Sequence, residues 1–443
     1  MEDIIEERVI TGIIDYQDEK NEKSGVPPPP APTVSVNSTF LWHCCFFLLG
    51  ICHFLPLSFC TASNNFWLHK FRNTSDPTES AGNRTVLQVN FSSVQMICSS
   101  VVSLLVAFFN IAVAYKIRIM TRIYVTLILE LMVFVLLTIS IKMDTDNVQV
   151  EYFCFVLLSF CVLNAANGVN ILATANLYPR FPHAYMHTCL AGEGVAGIVG
   201  DLLNIASIRI YNNDLTKGTM MYFAIGCGTI IMSIVLITVA ARSNSFKDAL
   251  ASVHEDVTRK RYTIRQQWNM LCKIRYPAVT ALYFGFTMVM SHPTVTSLVV
   301  SEDHDKQTVW ASTYFSPVMT FLLSDICSFL GRIATVFIKT DIPEKIFYVF
   351  GLLRFVTLIP FLWLCNVQPR NYIPVVFSHD YQYGIILGVF CFTNGIIINW
   401  GMLLLPKLVT KQEMDGAYTV FGVFMSVTGL LMSPISLFIV NLL

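Results

Sequence analysis

Charge is what this sequence has least of. Only 13% of its 443 residues are Asp, Glu, Lys or Arg, about half the share of a typical soluble domain. Against that, 54% are hydrophobic and the mean hydropathy is +0.59, which excludes a water-soluble globular chain. No sign predominates either, since Lys+Arg and Asp+Glu are equal at 29 each. A basic excess that would point to nucleic acid is therefore missing, and so is the acidic excess of a solvated chain. Metal-type cysteine spacing is also absent: the 13 cysteines fall singly in apolar runs, apart from Cys44 and Cys45, with no CxxC or CxxxH. They read as small apolar residues. Nor does any nucleophile stand with a positioned base, so no enzyme and no chemical cofactor is expected.

What the chain does have is long apolar runs. A membrane span needs about 20 mostly apolar residues to cross roughly 30 Å of hydrocarbon. Eleven runs qualify: Phe40 to Thr61, Phe91 to Tyr115, Ile123 to Ile141, Tyr152 to Leu177, Ala184 to Ile208, Thr219 to Ala241, Tyr276 to Ser301, Val309 to Ile338, Ile346 to Cys365, Tyr381 to Leu405 and Ala417 to Leu443. The expected fold is an all-α polytopic membrane protein with 11 transmembrane helices in a 6+5 arrangement. Residues 1–39 form an acidic, proline-rich tail expected to be disordered, 40–241 a six-helix bundle, 242–275 a basic loop and 276–443 a five-helix bundle.

Orientation follows from the basic residues, which are retained in the cytoplasm when they flank spans. Connections after the even-numbered spans carry Lys116, Arg118, Arg122, Arg180, eight basic residues from Arg242 to Arg275, Lys339, Lys345, Lys407 and Lys411. That places the amino terminus in the cytoplasm and the carboxyl terminus outside the cell. The connection after the first span carries the acceptors Asn73, Asn83 and Asn90, of which Asn73 and Asn83 are the expected glycosylation sites. Asn37 fits the same triplet on the cytoplasmic side, where it stays unmodified. Arg259, Lys260 and Arg261 read first as a topology signal, with contact to anionic lipid as the alternative.

Ionisable residues inside spans are functional candidates because hydrocarbon penalises charge. Six qualify: Glu130, Glu193, Asp201, Asp325, Arg332 and Arg354. Asp325 and Arg332 are seven apart, about 20° from each other around a helix and about 10 Å along it, so they share a face without pairing easily. Ser328 lies between them, giving a stripe suited to a small solute with donors and acceptors; an interhelical structural network is the alternative. On the fifth span Gly192, Glu193, Gly194, Val195, Ala196 and Gly197 match the dinucleotide fingerprint by letter. That fingerprint needs a strand before a helix, so Gly192, Ala196 and Gly200 read instead as a small-residue groove for another helix. Glu193 beside them is either an acid that titrates near neutral pH or the partner of an arginine from another helix. Asn164, Asn167 and Asn170 place amides on one side of the fourth span, for solute or for helix contacts. Pro56 and the His292–Pro293 pair permit bends, and His292 reads as a structural donor.

These residues resemble the equilibrative nucleoside transporters, solute carrier family 29, from Phe40 to the end. The resemblance rests on Leu49-Gly50 with Leu55-Pro56, Pro182 and Tyr185 leading into Gly192 to Gly197, Gly331-Arg332, Cys365-Asn366-Val367 with Pro369-Arg370, Phe392, Asn394-Gly395 and Pro406-Lys407. It implies a fold like the major facilitators and facilitated diffusion of nucleosides or nucleobases by alternating access in the plasma membrane. Arg332, Asp325 and Ser328 would then hold the solute, with Asn167 reading the base, Glu193 beside them, and Phe59 and Thr61 lining the first span. Four positions depart from the family: Ser328 replaces the Asp four before the arginine, Leu57-Ser58 replaces Trp-Asn, and Glu193 replaces Gln. The alternatives that follow are a pH-dependent carrier of organic cations or monoamines, or a receptor or scaffold on the same fold that does not transport.

Overall fold

The computed structural model describes residues 36–74, 84–113, 116–212, 214–251, 263–306, 308–337, 344–370, 372–410 and 413–442. Residues 1–35 of the expected tail, Asn83, Lys339, Lys411 and the Arg259–Arg261 cluster lie outside the described residues, while 36–39, expected as tail, are the first turn of a helix. Nearly everything else is helix: α1 (Val36–Ala62), α2 (Val86–Ala112), α3 (Ile119–Ser140), α4 (Gln149–Ala175), α5 (His183–Ile210) and α6 (Leu215–Arg242) in the first part of the chain. Then come α7 (Arg275–Met290), α8 (Leu323–Phe337), α9 (Glu344–Trp363), α10 (Asp380–Leu408) and α11 (Met414–Leu442). Short helices at Asn64–Lys70, Asn244–Ala251 and Ile264–Lys273 link them.

The helices start where the sequence supplies caps. Thr85 accepts from the Gln88 backbone at 3.1 Å while the Gln88 side chain accepts from the Thr85 N–H at 2.7 Å, a reciprocal box that opens α2. Asp214 opens α6 by accepting from the Lys217 N–H at 3.0 Å. That backbone bond, together with the Lys217 ammonium, holds the Asp214 carboxyl below the usual carboxylate range. The cap is therefore present above the ordinary carboxylate pKa and is lost as pH falls through the lowered one.

Among the described residues, eight helices are long and apolar enough to cross a membrane, and Phe40–Pro56 and Tyr348–Trp363 are shorter apolar helices. Their surfaces are inverted relative to a soluble protein. Leu105, Met132, Ile139, Leu353 and Val356 are all more than half exposed, an arrangement that costs heavily in water and nothing in lipid. Inside, aromatic rings pack against one another: Trp67 meets Phe66, Phe91, Phe160 and Phe223, and Phe71 meets Phe91 and Phe153.

Glycines set the tightest crossings. A Cβ at Gly50 of α1 would overlap the Cys189 carbonyl of α5, and one at Gly192 of α5 would overlap the Phe47 carbonyl of α1. The small-residue groove of α5 thus receives α1, with Ala196 buried and Gly200 against the Ser58 hydroxyl. The same device joins α8 to α10, where Gly331 meets the Phe392 carbonyl and Gly395 meets that of Ser328. Contacts between α1–α6 and α7–α11 run mainly through α2 with α11 and α5 with α8.

Two spans depart from the continuous helices expected from the sequence. The run Tyr276 to Ser301 is helical only to Met290. Past it come Pro293, a 3-10 turn at Thr296–Leu298 and a bridge from Val299 to Val367. Pro293 explains the break, because it offers no N–H and its ring collides with the carbonyl four residues back. The run Val309 to Ile338 opens as π-helical turns, Trp310–Tyr314 and Ser316–Leu322, before α8 proper begins. Pro317 lies in the second of these, and wide turns accommodate such an interruption.

Candidate functional site: a charge cluster between α1, α5 and α8

Glu193 sits halfway along α5, and its two carboxylate oxygens face different parts of the molecule. Oε1 is 2.9 Å from Nδ1 of His53 on α1. Oε2 is 3.6 Å from Nη1 of Arg332 on α8. One carboxylate is therefore shared by an imidazole among α1–α6 and a guanidinium among α7–α11. His53 is 3% exposed, while the side chains of Arg332 and Glu193 are 14% and 20% exposed. Nε2 of His53 is 3.1 Å from the Thr174 hydroxyl of α4, which fixes the ring in place. Asn167, also on α4, donates to the His53 carbonyl at 2.7 Å, and its own Oδ1 is buried without a hydrogen-bond partner among the described residues.

Asp325 meets α5 one turn further on. Its carboxylate lies so close to Gly197 that a side chain there would overlap it. Arg332 passes Gly194, its Cδ being 3.6 Å from where a Cβ would stand. Gly197 makes room for the Asp325 carboxylate, and Gly194 makes room chiefly for the Phe329 ring, 2.6 Å from where its Cβ would stand. The Arg332 carbonyl accepts from the Asn399 amide of α10 at 3.1 Å and from the Thr335 hydroxyl at 2.5 Å, which anchors this turn of α8. Asp201 is buried on α5 within electrostatic reach of Asp325.

The structure thus brings together Glu193, Arg332 and Asp325, with Asn167 behind them through His53. Ser328 lies on the same helix, its carbonyl against Gly395. Phe59 stands apart: it is 3% exposed, stacked on Tyr222 at 4.2 Å and packed on Phe134, so in this form it offers no face to a solute. Thr61 donates to the Ser58 carbonyl at 3.0 Å. Asn164 ties α4 to α2 through the Ser99 hydroxyl at 3.0 Å. Arg354 is fully engaged within α7, α9 and α10, donating to Thr287 at 2.6 Å, Thr393 at 3.0 Å and Asn394 at 2.9 Å. His292 is held by Thr296 at 2.8 Å.

Sequence reasoning missed His53. The signal was present, since an imidazole in the interior of an apolar run is as anomalous as the six acids and arginines singled out. His53, Cys189 and Glu193 carry ligand-type atoms all within 4.8 Å of one another. A metal ion does not fit them well. Arg332 already supplies the cation facing this carboxylate, and a dication would be placed against a guanidinium. The cluster sets an imidazole, a carboxylate and a guanidinium side by side across two sets of helices.

An all-helical, multi-pass membrane protein with charge buried between its two sets of helices is the class of molecule that fold and site define. Among solved structures its fold is similar to those of two transporters, the first of them of the major facilitator superfamily. One is the proton:xylose symporter XylE, with TM-score 0.60 and 12% identity, covering 90% of this chain and 88% of that one. The other is the nucleoside transporter NupG, with TM-score 0.52 and 9% identity, covering 89% and 91%. The nucleoside transporter family profile matches residues 157–267 and 251–441, so the chain belongs to the nucleoside transporter family. Human equilibrative nucleoside transporter 1 is 22% identical over 426 residues, 86% of this chain and 92% of that protein. Human equilibrative nucleoside transporter 2 is 23% identical over 429 residues. Equilibrative nucleotide transporter 1 of Arabidopsis thaliana is 24% identical over 350 residues, 73% of this chain and 72% of that one.

Proposed function

We propose that this protein carries nucleosides across a membrane by facilitated diffusion, with the six-helix bundle of 40–241 rocking against the five-helix bundle of 276–443 around the cluster just described. Family membership supports the solute class, and the observation that carries the mechanism is Arg332 reaching from α8 to Glu193 on α5. A group that bridges the halves in one state and becomes available to solute in another is what alternating access requires. Arg332 and Asp325 offer donors and acceptors matched to sugar hydroxyls and base edges, Ser328 adds a hydroxyl, and Asn167 has an unsatisfied amide oxygen. Counting α1, α7 and α9 with the eight long apolar helices supports eleven spans, and the basic residues after the even-numbered spans support an amino terminus in the cytoplasm and a carboxyl terminus outside. The plasma membrane is the proposed location, and nucleobases are a further solute class.

An organic-cation carrier on this fold is less well supported, because the acid that would attract a cation, Glu193, already has a guanidinium against it. The experiment is initial-rate uptake of labelled adenosine and uridine in cells lacking endogenous transport, with a quaternary ammonium solute in parallel. Saturable nucleoside uptake without cation uptake is expected. Saturable cation uptake without nucleoside uptake would reverse the assignment.

The proposed topology makes its own prediction. Asn73 is exposed three residues past the short helix Asn64–Lys70 that follows α1, so it and Asn83 are proposed acceptors on the outer face. Replacing both by glutamine should remove the mobility shift that an endoglycosidase produces in wild type. A shift that survives the double substitution would place the modification elsewhere.

A further inference from the structure

Glu193 has two cationic claimants, and they lie on opposite sides of the proposed moving interface. Arg332 on α8 is permanently charged, because guanidinium does not deprotonate in this range. His53 carries an imidazole, which gains a second N–H and a positive charge when it takes up a proton. With a neutral ring the 2.9 Å contact to Oε1 is a hydrogen bond, and the full charge of the carboxylate remains available to Arg332 at 3.6 Å. With a protonated ring the same contact becomes an ion pair within α1–α6, stronger than its neutral form. The tie across the halves is weakened by the same event, because one negative charge then faces two positive ones.

We propose that His53 is a proton-binding site of this carrier and that proton uptake there promotes nucleoside binding by drawing Glu193 away from Arg332. This rests on the nucleoside reading of the site. Among the described residues, the other groups near the ring come from α3, α4, α5 and the 3-10 turn Tyr178–Arg180, whose Tyr178 also lies within electrostatic reach of Glu193. α4 presents Thr174 and Asn167, which carry no charge. α5 presents Cys189, whose sulfur is 4.0 Å from Nδ1 and hydrogen-bonded to Tyr178. α3 brings Glu130 to the neighbouring Cys52. The proton arrives through Glu193, the most exposed member of the cluster, and rests on the imidazole. Arg332, released from its carboxylate, then has free donors for a sugar hydroxyl or base carbonyl. Linkage makes the effect reciprocal: nucleoside binding must in turn favour proton uptake.

Two measurements on purified full-length protein test this, with His53→Gln as the variant because its amide keeps a donor toward Glu193 without titrating. The first is adenosine affinity at pH 5.5 and 7.5. Wild type should bind on the order of five- to tenfold more tightly at pH 5.5, within the usual range of site-to-site coupling, and His53→Gln should bind equally at both. Adenosine added to weakly buffered wild type should also take protons from solution. A pH dependence that persists in His53→Gln overturns the proposal. The second measurement needs no solute. It is a thermal-melt double-mutant cycle between Glu193→Gln and Arg332→Gln at the two pH values. The coupling should shrink at pH 5.5 in the wild-type background and stay constant with His53→Gln. Equal coupling at both pH values in wild type refutes the role of His53. If adenosine binds at neither pH while the cycle behaves as stated, the solute assignment fails and the proton site stands.

Discussion

Arg332→Ala is expected to reduce nucleoside uptake by about ten- to a hundredfold while leaving the protein at the cell surface. Losing a charged hydrogen-bond donor to the solute costs about 1.5–3 kcal/mol, and about 1.4 kcal/mol corresponds to tenfold in rate. The loss falls on function and not on assembly because the local frame of α8 is held by other contacts. The Arg332 carbonyl keeps its bond from Asn399, Gly331 keeps its seat on α10, and Arg354 keeps its independent network. Glu193 would still have His53. Surface biotinylation with uptake in the same cells separates the two effects. Arg332→Lys should recover only part of the activity, since ammonium lacks the planar fork that engages two acceptors at once. Wild-type uptake by the alanine variant would remove Arg332 from the pathway.

Gly331→Val is expected to have the opposite signature, loss of the folded protein itself. At Gly331 a side chain would occupy the space of the Phe392 carbonyl, and backbone cannot rotate out of the way as a flexible side chain can. Gly395→Val would collide in the same way with the Ser328 carbonyl. Overpacking of an adaptable core costs about 1–3 kcal/mol, and a rigid helix crossing sets that figure as a floor. Gly228 and Gly422 have nothing within 4 Å of a built Cβ and serve as controls. Alanine at either should melt within about 2 °C of wild type, whereas Gly331→Val should yield little detergent-stable protein. A normal melt for Gly331→Val would mean that α8 and α10 cross at a different place.

The spans were readable because a run of about 20 apolar residues has few alternatives, and the groove of Gly192, Ala196 and Gly200 was readable because small residues four apart have one geometric use in lipid. The shared face of Asp325 and Arg332 followed from helical periodicity, and α5 is what both residues meet. Other features needed three dimensions. That Glu193 joins His53 to Arg332 depends on α1 and α5 crossing at glycines, a relation between residues 140 apart in sequence. The burial of Phe59 follows from Tyr222 and Phe134 on α6 and α3, which a reading of α1 alone does not contain. The end of α7 at Met290 was legible in principle, since Pro293 stands inside the run; hydropathy counts it as one residue among many, while backbone geometry gives it a veto. Arg354 and Arg332 look alike as buried arginines in sequence. They differ only in their neighbours, hydroxyls and amides for one and a carboxylate across the interface for the other.

The central claim is carriage of nucleosides by alternating exposure of one site, and counterflow in liposomes tests it most directly. Purified protein would be reconstituted into vesicles loaded with unlabelled uridine, and entry of a trace of labelled adenosine followed with time. The account predicts a transient overshoot of label inside the vesicles, dependent on internal uridine and absent with Arg332→Ala. Entry that rises to equilibrium without overshoot and without saturation, or no entry at all from correctly folded protein, would contradict it.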